Sequence, residues 1–185
     1  MKHRIDPGTN LRHQTARAYT DGTCHNNEKA NAQCDSGIWF GPNDPRNKST
    51  KVPENDQSNQ IGELVAVIEA VQTLPTFSPL EIHTDSKYAI YELTTHLPHW
   101  EDIGWITVQN AALFQKAAFL LRHRSTTTQF KWVKGHNSDL GNKESDKLTK
   151  EGASKANPDA LDLQVPIEFD FRGAKLSTLS QALAY

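Results

Sequence analysis

An amphipathic helix near the middle of the chain is the feature that most constrains the fold. Apolar side chains recur there at positions i, i+3, i+4, i+7 and i+10, namely Ile61, Leu64, Val65, Ile68 and Val71. This period predicts a helix with one apolar face. Ser58 or Asn59 is expected to cap the helix, and Pro75 is expected to end it.

The segments on either side of this helix predict a mixed β-sheet. Before it, short extended segments separated by few residues favour an antiparallel meander. We expect strands at residues 16–23, 36–41, 49–53, 80–84 and 127–133, and further helices at 86–96, 110–124 and 142–153. Pro98 is expected to close the first of these further helices. The order βββαβαβα with an extra helix predicts an α/β fold, a mixed five-stranded sheet flanked by helices.

The length of the chain suits one domain. Its 185 residues can bury one hydrophobic core. We place that core in residues 16–155, after a flexible lead-in at 1–15 and before a tail or linker at 156–185, and the sequence leaves open whether the tail packs on the domain. No apolar run of about 18 residues occurs, so no membrane span is expected. The N-terminus lacks the apolar stretch of a secretory signal.

The two cysteines, Cys24 and Cys34, lie in different sequence settings. We expect two free thiols in a reducing compartment. The protein is therefore expected to be intracellular, nuclear or cytoplasmic, and not secreted. No spacing of cysteine and histidine in the sequence is typical of a structural zinc site.

Charge is unevenly distributed along the chain. Residues 21–114 carry thirteen acidic and five basic side chains, whereas residues 115–155 carry nine basic and four acidic ones. The net charge of −2 therefore does not exclude a polyanionic partner. The distribution indicates an acidic region that could face metals or solvent, and a basic region available for phosphates.

Four acidic residues lie where chemistry is usually placed. Asp21 lies within an apolar-flanked strand, where aspartate is rare, and Glu63 lies in the first turn of the amphipathic helix. Asp85 follows a strand, at the end where sites collect in α/β sheets, and Asp146 lies in the last helix. Each has a structural alternative. Asp85 could cap a helix, Glu63 could favour the helix dipole, and Asp146 could belong to a solvated charged face.

Five segments occur in an order and at a spacing that are together very specific. They are Tyr19-Thr20-Asp21-Gly22-Thr23-Cys24, Gln57-Ser58-Asn59-Gln60-Ile61-Gly62-Glu63, His83-Thr84-Asp85-Ser86, Trp132-Val133-Lys134-Gly135-His136 and Gly141-Asn142-Lys143-Glu144-Ser145-Asp146. With these segments the chain resembles the type 1 ribonuclease H family over about residues 16–155. The residues of these segments are most similar to those of cellular eukaryotic enzymes and of ribonuclease H domains in eukaryotic retroelements. The predicted order of strands and helices agrees with the ribonuclease H-like fold that the resemblance implies.

The resemblance implies an endoribonuclease that hydrolyses the RNA strand of RNA–DNA hybrids and leaves 5′-phosphate and 3′-hydroxyl ends. It implies two Mg²⁺ ions, replaceable by Mn²⁺, and hard carboxylate oxygens suit both cations. Asp21 would bridge the two ions, Glu63 and Asp85 would complete one site, and Asp146 would support the other. Glu63 would also touch an RNA 2′-hydroxyl. His136 would act in proton transfer and product release, the alternative being an ordinary surface histidine.

The family match also assigns contacts to the nucleic acid. Those to the RNA backbone and the minor groove would come from Cys24, Asn27, Asn59 and Gln60. Those to the DNA strand would come from the segment around Trp100, Trp105, Thr107 and Asn110. Trp105 is either part of a channel wall or a core residue. The implied partner is an RNA–DNA hybrid bound by a monomer, with a reverse transcriptase as a further partner if the chain derives from a retroelement.

Several positions depart from the family pattern. Gly62 precedes the helix glutamate and would weaken the start of the helix by about 1 kcal/mol relative to alanine. The segment between Trp105 and Asn110 is short, and Ile106 stands where a lysine is common. We therefore expect weaker hybrid affinity than in full-length cellular enzymes. Cys34-Asp35-Ser36 replaces a small Ala-Gly pattern in the second strand.

Two other functions remain as alternatives. A binding module that kept the fold and lost catalysis would usually lack one of the four carboxylates, and all four are present. A transposase or resolvase core of the same fold would lack the last two of the five segments. Such a nuclease would cut duplex DNA, whereas a hybrid nuclease would not.

Overall fold

The computed structural model describes residues 14–26, 32–53, 58–135, 139–167 and 169. Two candidate site residues, Asn27 and His136, lie outside this part of the chain. So do nearly all of the predicted lead-in and the second half of the predicted tail. Among the described residues, no helix combines the length and the apolar character needed to cross a membrane.

A five-stranded sheet forms the centre of the molecule. Its strands are β1 (Ala16–His25), β2 (Gln33–Trp39), β3 (Lys48–Lys51), β4 (Leu80–Thr84) and β5 (Thr128–Trp132). They lie in the order β3-β2-β1-β4-β5. β2 is antiparallel to β1 and β3, whereas β4 is parallel to β1 and β5. The predicted mixed five-stranded sheet, with its antiparallel meander, is confirmed.

Helices cover both faces of the sheet. Those in the described part of the chain are α1 (Asn59–Thr73), α2 (Lys87–Tyr91), α3 (Leu97–Asp102), α4 (Ala111–His123) and α5 (Leu140–Ala153). In β2, Ser36 bonds to Glu69 of α1, whereas the next residue, Gly37, lies against Thr149 of α5. Successive strand residues point to opposite faces, so α1 and α5 lie on opposite sides of the sheet.

Helix α1 is buried over more than one face. Three further residues are buried besides the apolar residues that predicted the helix. Ala66, Val67 and Ala70 are each at most 1 % exposed. The helix packs against β1 and β2 on one side and against α4 on the other. The prediction of a single apolar face was too narrow, because a helix sandwiched between two layers is apolar nearly all round. Since α1 begins at Asn59, Glu63 lies just beyond the first turn, which holds no acidic residue.

Pro98 does not close the helix after β4, contrary to the prediction. A single π-helical turn, Glu92–His96, joins α2 to α3, and α3 continues to Asp102. Pro98 occupies the first turn of α3. A proline is tolerated there because the amides of a first turn need no partner within their own segment. The π-helical turn makes this new start possible inside an otherwise continuous helix.

The first half of the predicted tail packs on the domain. Asp159 Oδ2 accepts a hydrogen bond from Lys51 N at 2.7 Å, which ties the chain to β3. Further on, the buried Lys116 of α4 donates to Asp162 Oδ2 at 3.1 Å and to Gln164 O at 2.8 Å. Leu161 is partly buried against the core. The chain after α5 therefore crosses the β3 edge and lies along α4.

Cys24 and Cys34 form a disulfide bond across β1 and β2. The two strands pair these residues directly, with their Cα atoms 4.0 Å apart. The expectation of two free thiols was wrong. The physical reason is register, because β1 extends to His25 and β2 begins at Gln33, which brings both cysteines into the sheet.

Candidate active site

Three carboxylates converge at one edge of the sheet. Asp21 lies within β1, Glu63 in α1 and Asp85 directly after β4. One oxygen from each of them lies within 4.8 Å of the other two. Thr20 pairs with Thr84 across the parallel strands β1 and β4. The residues that follow, Asp21 and Asp85, are therefore neighbours at the carboxyl end of β4.

A close contact between two glycines brings α1 near enough for Glu63 to join the aspartates. Gly22 lies in β1, and a Cβ on it would overlap the backbone of Gly62 and Glu63. A Cβ on Gly62 would lie 2.9 Å from Asp35 O and 3.1 Å from Thr23 N. Gly62 therefore allows the start of the helix to pack directly on the sheet. The sequence alone does not show this role of Gly62.

The end of β4 places Asp85 without using its side chain as a cap. Ser86 Oγ accepts a hydrogen bond from Ala89 N at 3.2 Å and so caps α2. The Ser86 amide in turn donates to Thr84 Oγ1 at 3.1 Å. The alternative that Asp85 serves only as a helix cap is therefore wrong, because its neighbour supplies the cap.

Asp146 lines the same cleft from α5 but stands apart from the other three carboxylates. The cleft has a volume of about 250 Å³, and Asp21, Glu63 and Asp85 also line it. Asp146 Oδ2 pairs with Lys150 Nζ at 2.5 Å, and its side chain is 37 % exposed. The structure thus brings three of the four expected carboxylates into one compact group. The fourth lies at the same cleft and is paired with a lysine.

A hydrogen bond from Thr149 joins α5 to β1. Thr149 Oγ1 donates to Asp21 O at 3.2 Å. Asp139 Oδ1 accepts from Asn142 N at 3.1 Å and caps α5, which therefore begins two residues before the predicted start. The Thr149 bond therefore joins the helix that carries Asp146 to the strand that carries Asp21, whereas the Asp139 cap lies within α5.

Sequence reasoning missed Asn142 and Lys143 as members of the cleft. Asn142 is 4 % exposed, and its Oδ1 atom is buried with no hydrogen-bond partner among the described residues. A buried amide oxygen without a partner is rare in native structures. The signal was the segment Gly141–Asp146, in which only the aspartate was assigned a role.

Burial and like charges raise the pKa of two carboxyl groups in the cleft. Burial raises the pKa of Asp21 from 3.8 to about 6, and the charges of Asp85 and Asp146 add to the rise. Burial also raises the pKa of Glu63 well above its ordinary value, with Asp21 and Asp85 acting in the same direction. The hydrogen bond to Asp146 raises the pKa of Lys150. The group therefore favours an added proton or cation.

The donor set fits a divalent cation. Glu63 Oε2 is buried and has no hydrogen-bond partner within the described part of the chain. Two unit charges at the 4.8 Å limit of the group repel by about 3.5 kcal/mol at an effective dielectric constant of about 20. A cation removes that repulsion, and carboxylate oxygens are the ligands that Mg²⁺ and Mn²⁺ prefer.

Of the described residues expected to contact the RNA strand, two are exposed and one is buried in a disulfide bond. Asn59 and Gln60 are exposed at the start of α1, ahead of Glu63. Cys24 is 8 % exposed and its sulfur is bonded to Cys34, so it presents no thiol.

The segment expected to contact DNA borders a different cleft. Trp105 lies with Glu101, Arg122 and Val165 around that second cleft, and it packs partly against the core. Thr107 is exposed. Trp105, Thr107 and the α4 cap residue Asn110 have positive φ angles of 62°, 63° and 58°. Few residues other than glycine adopt this conformation. The structure does not bring these side chains into the carboxylate cleft.

A model of the RNase H family matches residues 13–154 of the chain. The chain belongs to the RNase H family. The expected family resemblance is confirmed, and with it the fold. A family model describes only the shared domain. The similarity to individual relatives is therefore given separately.

The RNase H chain is similar to cellular relatives over its central part. It is 37 % identical over 142 residues to ribonuclease H of Schizosaccharomyces pombe, covering 74 % of this chain and 52 % of the relative. It is 32 % identical over 143 residues to ribonuclease H1 of Homo sapiens, covering 75 % of this chain and 50 % of the relative. The chain thus spans about half the length of these relatives.

A solved structure shares the fold of this RNase H chain. The protease-reverse transcriptase of prototype foamy virus superposes with a TM-score of 0.62 at 23 % sequence identity, covering 77 % of this chain and 21 % of that one. At this level of identity the likeness concerns the fold.

Proposed function

We propose that this RNase H chain is an endonuclease that hydrolyses the RNA strand of RNA–DNA hybrids. The observation that carries the proposal is the group formed by Asp21, Glu63 and Asp85, whose oxygens lie within 4.8 Å of one another. Relatives named ribonuclease H are 30–37 % identical to the chain over aligned segments of 142 to 151 residues. The products would carry 5′-phosphate and 3′-hydroxyl ends.

The reaction would use two Mg²⁺ ions, for which Mn²⁺ can substitute. Asp21 would bridge the two ions, Glu63 and Asp85 would hold one of them, and Asp146 would help to hold the other. When bound, such ions activate the attacking water and stabilise the leaving 3′ oxygen. The chain itself positions the carboxylate oxygens. Gly22 allows α1 to pack closely on β1, and Thr149 joins α5 to β1 by a hydrogen bond.

Substrate choice would depend on the RNA 2′-hydroxyl. Asn59 and Gln60 carry exposed amides just ahead of Glu63, and an amide can donate to and accept from a hydroxyl or a base edge. Glu63 would itself touch the 2′-hydroxyl next to the scissile phosphate. His136 would move a proton during turnover and product release, a role suited to histidine because the ordinary pKa of an imidazole lies near neutrality.

The proposal includes the wider setting of the protein. The partner is an RNA–DNA hybrid bound by a monomer, and a reverse transcriptase if the chain derives from a retroelement. The proposed location is intracellular, nuclear or cytoplasmic. Because disulfides are rare in these reducing compartments, finding the bond between Cys24 and Cys34 oxidised in the cell would count against that location.

A gel assay with labelled substrates tests the proposal. The chain is incubated with an RNA–DNA hybrid, single-stranded RNA, double-stranded RNA and duplex DNA, in Mg²⁺, Mn²⁺ or EDTA. We expect metal-dependent cutting of the RNA strand in the hybrid alone, with 5′-phosphorylated products. Asp85→Asn should be inert, whereas Asp44→Asn, in a surface ion pair with Arg46, should cut as the wild type does.

Two outcomes would contradict the proposal. Equal cutting of duplex DNA would indicate a resolvase-like nuclease of the same fold. No cutting of the hybrid in either metal, by a chain shown by circular dichroism to be folded, would indicate a module that has lost catalysis.

A further inference from the structure

Trp132 is a large aromatic residue that remains half exposed beside the carboxylate cleft. It is the last residue of β5, where it pairs with Thr84 of β4, and it is 50 % exposed. Its indole Nε1–H donates a hydrogen bond to the backbone carbonyl of Asp85 at 3.2 Å. No part of the function described above uses this contact.

The Asp85 carbonyl lies at a gap between two elements. The ladder between β4 and β5 ends at the pair of Thr84 and Trp132. Helix α2 begins at Lys87 and its first backbone bonds use Ser86. Among the described residues, neither the ladder nor the first bonds of the helix supply a donor for the partly exposed carbonyl between them. The indole provides it.

The chain leaving β5 contacts Asp85 in other ways as well. Val133 N donates to Thr84 O at 3.0 Å, which continues the strand pairing by one bond. A Cβ on Gly135 would meet Asp85 Oδ2, so a larger residue there would require that carboxylate to move. On the exposed side, Lys87 Nζ lies 4.8 Å from the centre of the Trp132 ring. Such a cation–π contact restrains the indole.

We propose that Trp132 is a positioning residue for Asp85. Its indole N–H holds the Asp85 peptide and thereby sets the direction of a carboxylate in the group with Asp21 and Glu63. The inference deepens the proposed function and rests on it, since the positioned group is the one proposed to hold the cation. Residues behind a metal ligand commonly change metal affinity or activity by 10–100-fold when removed.

The test compares two Trp→Phe variants. Trp132→Phe keeps an aromatic ring beside Lys87 and removes the N–H donor. Trp39→Phe makes the same chemical change at the end of β2, where the ring packs on Tyr19 with centroids 5.7 Å apart. For each variant, kcat and KM for a hybrid and the Mn²⁺ dissociation constant without nucleic acid are measured. The Mn²⁺ constant comes from calorimetry and does not depend on activity.

A positioning role predicts a specific pattern. In Trp132→Phe, Mn²⁺ binding should weaken and kcat should fall, each by about 3- to 10-fold, because the variant loses one hydrogen bond and keeps the aromatic ring. KM should change less than about twofold, and Trp39→Phe should match the wild type in all three quantities. If Trp132→Phe does not fold, replacing the indole by benzothiophene removes the N–H and preserves the shape of the ring.

Two results would overturn the inference. Unchanged Mn²⁺ binding and kcat in Trp132→Phe would show that the hydrogen bond does not matter. A raised KM with unchanged kcat and Mn²⁺ binding would show that Lys87 and Trp132 form a surface for nucleic acid, as exposed aromatic and cationic side chains do. A wild type that binds Mn²⁺ but cuts no hybrid would refute the proposed function alone, because the effect on Mn²⁺ binding can still be measured.

Discussion

Asp21→Asn should make the metal-free protein more stable at neutral and alkaline pH, although the change destroys a proposed metal ligand. Burial raises the pKa of Asp21 from 3.8 to about 6, with Asp85 and Asp146 adding to the rise. The folded chain therefore binds the Asp21 proton more tightly than the unfolded chain does. Asparagine has a similar shape and carries no charge at any pH.

The sign follows from linkage. Well below pH 3.8 the carboxyl group is protonated in both states, and ionisation has no cost. As the pH rises through about 6, the folded state must give up a proton that it holds more tightly, so stability falls. A rise of about two pKa units corresponds to about 3 kcal/mol. Asp21→Asn should therefore be about 3 kcal/mol more stable than the wild type at pH 8, and little different at pH 4.

Urea unfolding in EDTA at pH 4 and pH 8 checks the prediction. At m-values of about 1–3 kcal/mol/M, the midpoint should rise by about 1–3 M at pH 8. Added Mg²⁺ should narrow the gap, because it stabilises only a folded chain that binds it. Asp44→Asn is a control in which stability at pH 8 should fall rather than rise. The hydrogen bond from Arg46 lowers the pKa of Asp44, so the ionised carboxylate stabilises the folded state. Equal stability of Asp21→Asn and the wild type at pH 8 would refute the reasoning.

Four other changes have defined outcomes. Asp85→Asn should abolish Mg²⁺-dependent cleavage of a hybrid and leave the circular dichroism spectrum unchanged; retained cleavage would remove the metal assignment. His136→Ala should slow turnover more than it weakens hybrid binding, and wild-type turnover would make it a surface residue. The disulfide between Cys24 and Cys34 joins residues separated by 10 positions, so its reduction should lower the free energy of unfolding, measured in urea, by about 2.7 kcal/mol. The sequence holds no other cysteine, so unchanged stability after reduction would contradict this value. Gly22→Ala should destabilise the fold by more than about 3 kcal/mol, since its Cβ would overlap α1, and a loss below about 1 kcal/mol would show that α1 can shift at little cost.

The order of strands and helices could be predicted because each element carries its own period. β4 was expected at residues 80–84 and is found at Leu80–Thr84, since an apolar strand there is bounded by turn residues. Helix α4 was expected at residues 110–124 and is found at Ala111–His123. Local patterns of this kind need no knowledge of tertiary contacts.

Features that depend on contacts between distant segments were not predictable. The disulfide depends on the register of β1 and β2, which the sequence leaves open. The role of Gly62 depends on how closely α1 approaches Thr23 and Asp35. Pro98 follows a π-helical turn and lies inside a longer helical segment. No local sequence pattern predicted that turn. In each case tertiary structure overrides a sound local expectation.

The candidate site was foreseen in its residue types and only partly in its geometry. The motifs singled out Asp21, Glu63, Asp85 and Asp146, and all four line one cleft. The ion pair between Asp146 and Lys150 and the hydrogen bond from Trp132 to Asp85 were not foreseen. Both join residues whose partnership is set by side-chain direction, which spacing alone does not determine.

The central claim is that the carboxylate group holds the catalytic cations, and anomalous scattering from Mn²⁺ tests it most directly. Crystals of the chain with an RNA–DNA hybrid would be soaked in Mn²⁺ and measured near the manganese edge. We expect one anomalous peak among Asp21, Glu63 and Asp85, and a second between Asp21 and Asp146. Mn²⁺-dependent cleavage in solution, without any peak at these four carboxylates, would contradict the central claim.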